Sequence, residues 1–325
     1  LEKLLRYLND NDADKWQKNR EKLDDETKAY YAEDLSLMDV LNDLWNGQSE
    51  QAATLYFGCY EKAAQNNFPG ICEGEKIPLS QIRDKADQSI INLLEASKDK
   101  IPFSRALLDS IHATEYPVDS AMLQRLQNIR EVALLEGMLK APTPIIYQTY
   151  VKEYPNGKFI AQVNASENVR LYQLVKTTPT PANFKAFFED PEMQKYYQDR
   201  GPRPYLAEVR TLYDDFLFQR IDSLKKEGNA TAIRQIIDDY KNTPYLATGA
   251  RTHLNDLEYL SEKADFELLK PAIVNSESLG LLQEFLKTHK YKEFRDQAKN
   301  LRAPFILQAI VSTPTTVKYY TQGRL

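Results

Sequence analysis

Asp10, Asp12, Asp14 and Glu21 fall at the first, third, fifth and twelfth places of an EF-hand-type calcium loop. Lys15 stands where that loop needs its glycine, and Gln17 where it needs an apolar anchor, so no calcium site is expected. The acids suit instead the start of a helix containing Trp16, because the positive end of the helix dipole favours negative charge. His112, His253 and His289 are the only imidazoles, and none has a ligand spacing such as His-x-x-x-His, so no metal is expected. Cys59 and Cys72 are the only cysteines. Their separation suits either one disulfide across a turn or two reduced thiols, and neither is followed by a nucleophile motif. Asn156-Gly157-Lys158 lacks the strand and first glycine of a phosphate-binding loop, so no nucleotide cofactor is expected. Asp214-Asp215, Asp238-Asp239 and Glu189-Asp190 are acidic pairs that acid–base chemistry could use. Neighbours on a helix point about 100° apart and do not converge on one substrate atom, so a solvated helix face is the expected setting. No catalytic residue, cofactor or metal is therefore expected, and the chain does not read as an enzyme.

The elements around these residues are helical. The chain has 325 residues with only 11 Gly, and is rich in Leu, Ala, Lys, Glu, Gln and Asp. Lys plus Arg total 42 against 47 Asp plus Glu, a net charge of -5 that offers no field for a nucleic acid backbone. No apolar run approaches the roughly 18 residues of a membrane-spanning helix. The chain opens at Leu1 with no initiator Met, basic leader or apolar signal region, so its start reads as trimmed and any address segment as already removed. Twenty Tyr are unusual. At helix packing positions a tyrosine buries its ring and leaves the hydroxyl wet, and the same ring is favoured at binding surfaces. Tyr196, Tyr197, Tyr205 and Tyr213 fit core packing between helical hairpins better than a stacking groove for glycans or peptides.

Repeats organise the C-terminal half. With Thr143, Thr180, Asn229 and Ser278 aligned as helix caps, the seventh residue onward is Tyr150, Phe187, Ile236 and Phe285. Nine residues further stand Phe159, Tyr196, Tyr245 and Phe294. Two Pro-Thr-Pro triplets, at 142–144 and 179–181, put a capping Thr before a Pro at the first helical position. Each unit reads as a short helix, a turn such as Tyr154-Pro155-Asn156-Gly157, and a longer helix opening near the aromatic. The caps are 37, 49 and 49 residues apart, and the breaker Gly201-Pro202-Arg203-Pro204 calls for an extra or split helix in the first long interval. A degenerate unit is expected to start at Ser104, with Ile111 at the seven-residue offset and a Tyr116-Pro117 turn. Apolar stripes support the long helices: Met122, Leu126, Ile129, Val132 and Ala133 form one, and Leu206, Val209, Tyr213, Phe216, Leu217, Ile221 and Leu224 another. Such stripes need cover, which neighbouring hairpins supply.

The expected fold is all-α, an α-solenoid of irregular helical hairpins. Residues 1–100 are a helical capping or degenerate region, with Ile82, Ala86, Ile90 and Leu93 in phase after Ser80 and an irregular stretch from Asn66 to Pro78. Residues 101–312 carry the repeats. From Thr313-Pro314 the pattern turns to strand and turn, and 313–325 read as a linker into a further β-rich segment.

The segment Tyr150-Val151-Lys152-Glu153-Tyr154-Pro155-Asn156-Gly157-Lys158-Phe159 resembles the tetratricopeptide-like units of bacterial cell-envelope lipoproteins, in which such a turn joins a short helix to an aromatic-Ala helix. The resemblance covers about 104–305 and is degenerate, with Tyr240-Lys241 and His289-Lys290 at the turns of the last two units. It implies a right-handed superhelix that binds protein or peptide on its concave face in the periplasm or at the outer membrane; a cytoplasmic setting is the alternative. Lys318-Tyr319-Tyr320-Thr321-Gln322-Gly323-Arg324-Leu325 is similar to the opening of a MORN-type β-hairpin repeat. The expected function is a non-catalytic scaffold for a protein or peptide, with Lys152, Asp239 and Lys287, near the anchor aromatics, as partner-binding residues. A glycan- or peptidoglycan-binding or -cleaving protein, and a structural spacer, are the alternatives.

Overall fold

A computed structural model describes residues 2–65, 79–227, 230–246, 253–275 and 278–312. Among these the regular structure is helical throughout and no strand occurs. The chain forms two compact units, Leu1–Glu167 and Asn168–Leu325. The first holds α1 (Glu2–Asn9), α2 (Ala13–Arg20), α3 (Asp25–Tyr30), α4 (Ala32–Trp45), α5 (Glu50–Gln65), α6 (Leu79–Ala96), α7 (Lys100–His112), α8 (Ser120–Lys140) and α9 (Pro144–Glu153). Helix α10 (Ile160–Thr177) runs through the division. The second unit holds α11 (Pro181–Glu189), α12 (Pro191–Tyr197), α13 (Leu206–Glu227), α14 (Ala230–Asn242), α15 (Leu254–Ala272), α16 (Leu279–Thr288) and α17 (Lys292–Ser312).

Local chemistry explains several of these boundaries. Asp12 caps α2 by accepting from the Lys15 amide at 3.1 Å, and its carboxylate also pairs with the Lys15 ammonium. The acidic N-terminal stretch is thus a helix start. Thr143 and Thr180 hold extended backbone and accept from the Ile146 and Asn183 amides at 3.3 and 3.2 Å, with Pro144 and Pro181 inside the first turn. The extra helix of the first long interval is α12, capped by Asp190 and followed by Gly201 at φ 100°.

Two expected caps fail. Ser278 has helical backbone angles, which swing its hydroxyl away from the following amides; it accepts instead from the Val274 and Asn275 amides. Ser104 lies inside α7, buried, with its hydroxyl donating to the Lys100 carbonyl, because that helix already begins at Lys100. Asn229 lies outside the described residues, as do Asn66 to Pro78, Cys72 and the strand-like tail at 313–325.

Packing follows the apolar periodicity. One core in the first unit runs from Leu4 to Leu126, with Leu94 and Phe103 on either side of position 100 both in it. Within it α4 packs on α5 and α7 on α8, and the next-but-one pairs α4 with α6, α5 with α7 and α6 with α8 also touch. Helix α8 buries Met122, Leu126 and Ala133 of the expected stripe and adds Leu134, Leu135 and Met138. In the second unit Leu217 and Ile221 of α13 pack with Ile233, Ile236, Ile237 and Tyr240 of α14 and Leu257 of α15. Phe285, Phe294 and Phe266 form a further cluster between α15, α16 and α17.

Candidate functional site

The four residues at the seven-residue offset, Tyr150, Phe187, Ile236 and Phe285, are all buried, as a core-facing anchor requires. The second set behaves unevenly. Phe294 is buried against Tyr259 and Phe266, Tyr245 stacks on Phe188 at 4.4 Å, and Phe159 is half-buried beside the Tyr150 hydroxyl. Tyr196 sits in α12 against Tyr197, with Arg200 over its ring, and does not open a long helix.

The strongest polar constellation centres on Tyr150. Its hydroxyl donates to Glu131 Oε1 at 2.7 Å and accepts from the Phe159 amide at 3.1 Å. Burial, reinforced by the neighbouring Glu131 carboxylate, pushes the phenol well above its ordinary range. Next to Glu131 on α8, Arg130 is 2% exposed. Its Nε and Nη2 donate to both oxygens of Glu153 at 2.6 and 2.9 Å, and its Nη1 donates to the Ile101 carbonyl at 2.7 Å. The Ser104 hydroxyl accepts from the same Nη1 at 3.2 Å, which explains a serine buried in mid-helix. Tyr154 donates to the Gln127 carbonyl at 3.1 Å, and burial lifts its phenol to about 12. The Tyr-Pro-Asn-Gly turn is thus fastened to α8 by Tyr154, which opens it, and by Tyr150 one helical turn earlier, whose hydroxyl also holds the Phe159 amide just past it.

The same device recurs. Tyr116 donates to the buried Asp87 carboxylate and Tyr240 to the buried Asp214 carboxylate, while Tyr147 donates to buried Asn164 at 2.9 Å. Nearer solvent, Tyr172 donates to Glu208 at 2.7 Å, Tyr259 to Glu293 at 3.0 Å, and Tyr245 to Glu189. For Tyr116, Tyr150 and Tyr240 the expectation of a wet hydroxyl is therefore corrected: each phenol tip reaches a buried carboxylate, which satisfies it. Around Tyr116 the rings of Tyr56, Phe57 and Tyr60 pack edge-on at 5.7, 4.9 and 5.0 Å. Burial pushes Asp87 up to about 6 despite the Tyr116 hydrogen bond and the Arg83 charge. A cleft of about 440 Å³ opens over it, lined by Arg83, Asp84, Gln88, Met122 and Arg125.

The acidic pairs divide between two settings. Asp215, Asp238 and Asp239 are exposed, as a solvated face requires, whereas Asp214 is buried. Asp190 is a helix cap and Glu189 a tyrosine acceptor. Two of the three imidazoles have partners: His289 Nε2 lies 3.0 Å from Asp265, and His253 faces Asp215 at 3.3 Å and stacks on Phe218 at 4.0 Å. Thirty-eight residues separate His253 from Asp215, so no local spacing could have shown the pairing. Cys59 is half-buried with its sulfur 3.6 Å from the Ser36 hydroxyl. Tyr205 stacks on Tyr172 at 4.3 Å and Tyr213 packs against Phe184, so both rings are spent on neighbouring helices.

Lys152, Asp239 and Lys287 are exposed, on α9, α14 and α16 respectively. The first belongs to one compact unit and the other two to the second. Asp239 accepts from Gln235 at 3.0 Å. Among the described residues no helix is long and apolar enough to cross a membrane. No family model, curated protein or solved structure matches the chain.

Proposed function

We propose that the chain is a non-catalytic scaffold that binds a protein or peptide along the exposed faces of stacked helical hairpins. One observation carries this reading: the buried carboxylates Asp87, Glu131 and Asp214 each accept from a tyrosine hydroxyl, on the α7–α8 connection for Asp87 and on another helix for the other two. Acids that acid–base chemistry would need are spent on holding helices together, which stiffens the surface presented to a partner. Contacts between next-but-one helices in the first unit support a tetratricopeptide-like superhelical stack. Exposed Leu139 and Ile145, on either side of the α8–α9 turn at 62% and 76% exposure, add apolar side chains that a partner would cover. The resemblance of the Tyr150–Phe159 segment supports a cell-envelope setting.

Affinity capture from native extract tests the reading, with the wild type and the charge reversals Lys152→Glu, Asp239→Lys and Lys287→Glu as baits. A defined partner retained by the wild type and depleted several-fold by reversal is expected, with the circular dichroism melt unchanged. Equal retention by all four baits rejects these positions as the binding face. Release of fragments from peptidoglycan by the purified chain would replace the scaffold reading with a catalytic one.

A further inference from the structure

In the second unit, Asp214 and Asp215 of α13 meet His253, the residue preceding α15. His253 Nε2 lies 3.3 Å from Asp215 Oδ1 and 3.9 Å from Asp214 Oδ2, and one ligand atom from each of the three lies within 4.8 Å of the others. Zinc bonds of about 2.0–2.2 Å at tetrahedral angles set neighbouring ligand atoms roughly 3.4 Å apart. One of the three separations already has that length, and the His253–Asp214 separation is longer, at 3.9 Å.

The surroundings hold two of these side chains in place. Asp214 is buried, and its Oδ1 accepts from the Tyr240 hydroxyl, the kind of outer hydrogen bond that orients a ligating carboxylate. The His253 ring lies flat on Phe218, at 4.0 Å and 12°. Asp215 is half-exposed at 51% and leaves the cluster open to solvent on one side.

We propose that Asp214, Asp215 and His253 form a binding site for a divalent transition-metal ion of the zinc type. Two carboxylate oxygens and one imidazole nitrogen, without thiolate, suit zinc, cobalt and their first-row neighbours and leave a coordination position for water. The site stands on this geometry alone and is independent of the scaffold reading.

The test is calorimetric titration of zinc chloride into the chelator-treated full chain, with cobalt(II) as a spectroscopic substitute for ligand geometry. One ion per chain is expected. His253→Ala and Asp215→Asn should each weaken binding by about tenfold or more, whereas His289→Ala, whose imidazole pairs with Asp265, should bind as the wild type does. Asp215→Asn is exposed and nearly isosteric, so it reads the site even where His253→Ala disturbs the Phe218 stack. Absence of binding by the wild type overturns the site. Undiminished binding by Asp215→Asn does the same, because it places the ion elsewhere on the chain.

Discussion

Gly157 lies so close to Glu131 that a β-carbon on it would stand 2.5 Å from Glu131 Oε1, and 2.6 Å from the Tyr150 hydroxyl bonded to that oxygen. The glycine of the Tyr-Pro-Asn-Gly turn is therefore required by close approach, not by a left-handed backbone. It allows the turn to sit directly on the polar hub of α8.

Gly157→Ala should accordingly separate Tyr150 from Glu131, since neither atom can retreat without breaking their hydrogen bond. A loss of about 1–3 kcal/mol is expected for such overpacking. Both tryptophans of the chain, Trp16 and Trp45, belong to or pack against the core of the first unit, so their fluorescence during urea unfolding reports that unit. An unchanged midpoint would show that the hub yields at no cost.

Two tyrosines four residues apart separate buried from surface hydrogen bonding. Tyr150→Phe strips a donor from the buried Glu131 carboxylate and an acceptor from the Phe159 amide, at an expected cost of about 1–3 kcal/mol. Tyr154→Phe removes a more exposed bond to the Gln127 carbonyl and should cost less than about 1 kcal/mol. The same fluorescence-detected unfolding compares them, and equal losses would count against the hub.

Asp87 gives the first unit a pH dependence. Its folded pKa of about 6 lies above the ordinary 3.8, because burial penalises the charged carboxylate. The folded state thus holds the proton more tightly than the unfolded chain. This contribution is fully present below pH 3.8 and is lost as pH rises through about 6. After allowance for partial solvent access it amounts to about 2 kcal/mol. Asp87→Asn keeps an acceptor for Tyr116 and cannot ionise, so the decline in stability between pH 4 and 7 should flatten. Matching pH profiles for the two proteins would refute the assignment.

Much of the secondary structure was legible in the residues. Pro-Thr-Pro at 142–144 and 179–181 marks helix starts because capping is settled within one turn, by a hydroxyl and the amide three residues on. Tyr150, Phe187, Ile236 and Phe285 are buried because a helix repeats its face every 3.6 residues, and a large apolar side chain on that face has to be covered. Where the local signal was ambiguous it misled. A serine reads alike as a cap or as an interior residue, and the buried Arg130 that explains Ser104 is 26 residues away.

The sequence by itself determined the all-α character of the described residues and the anchor positions of the repeats, since backbone hydrogen bonding and amphipathic periodicity act over a few residues. Tertiary structure alone decided which carboxylate satisfies each tyrosine, that Asp214 is buried while Asp215 is exposed, and that His253 joins them. Those pairings span 19 to 56 residues. They depend on how one helix face docks on another, and docking is set by side-chain packing that no local pattern records.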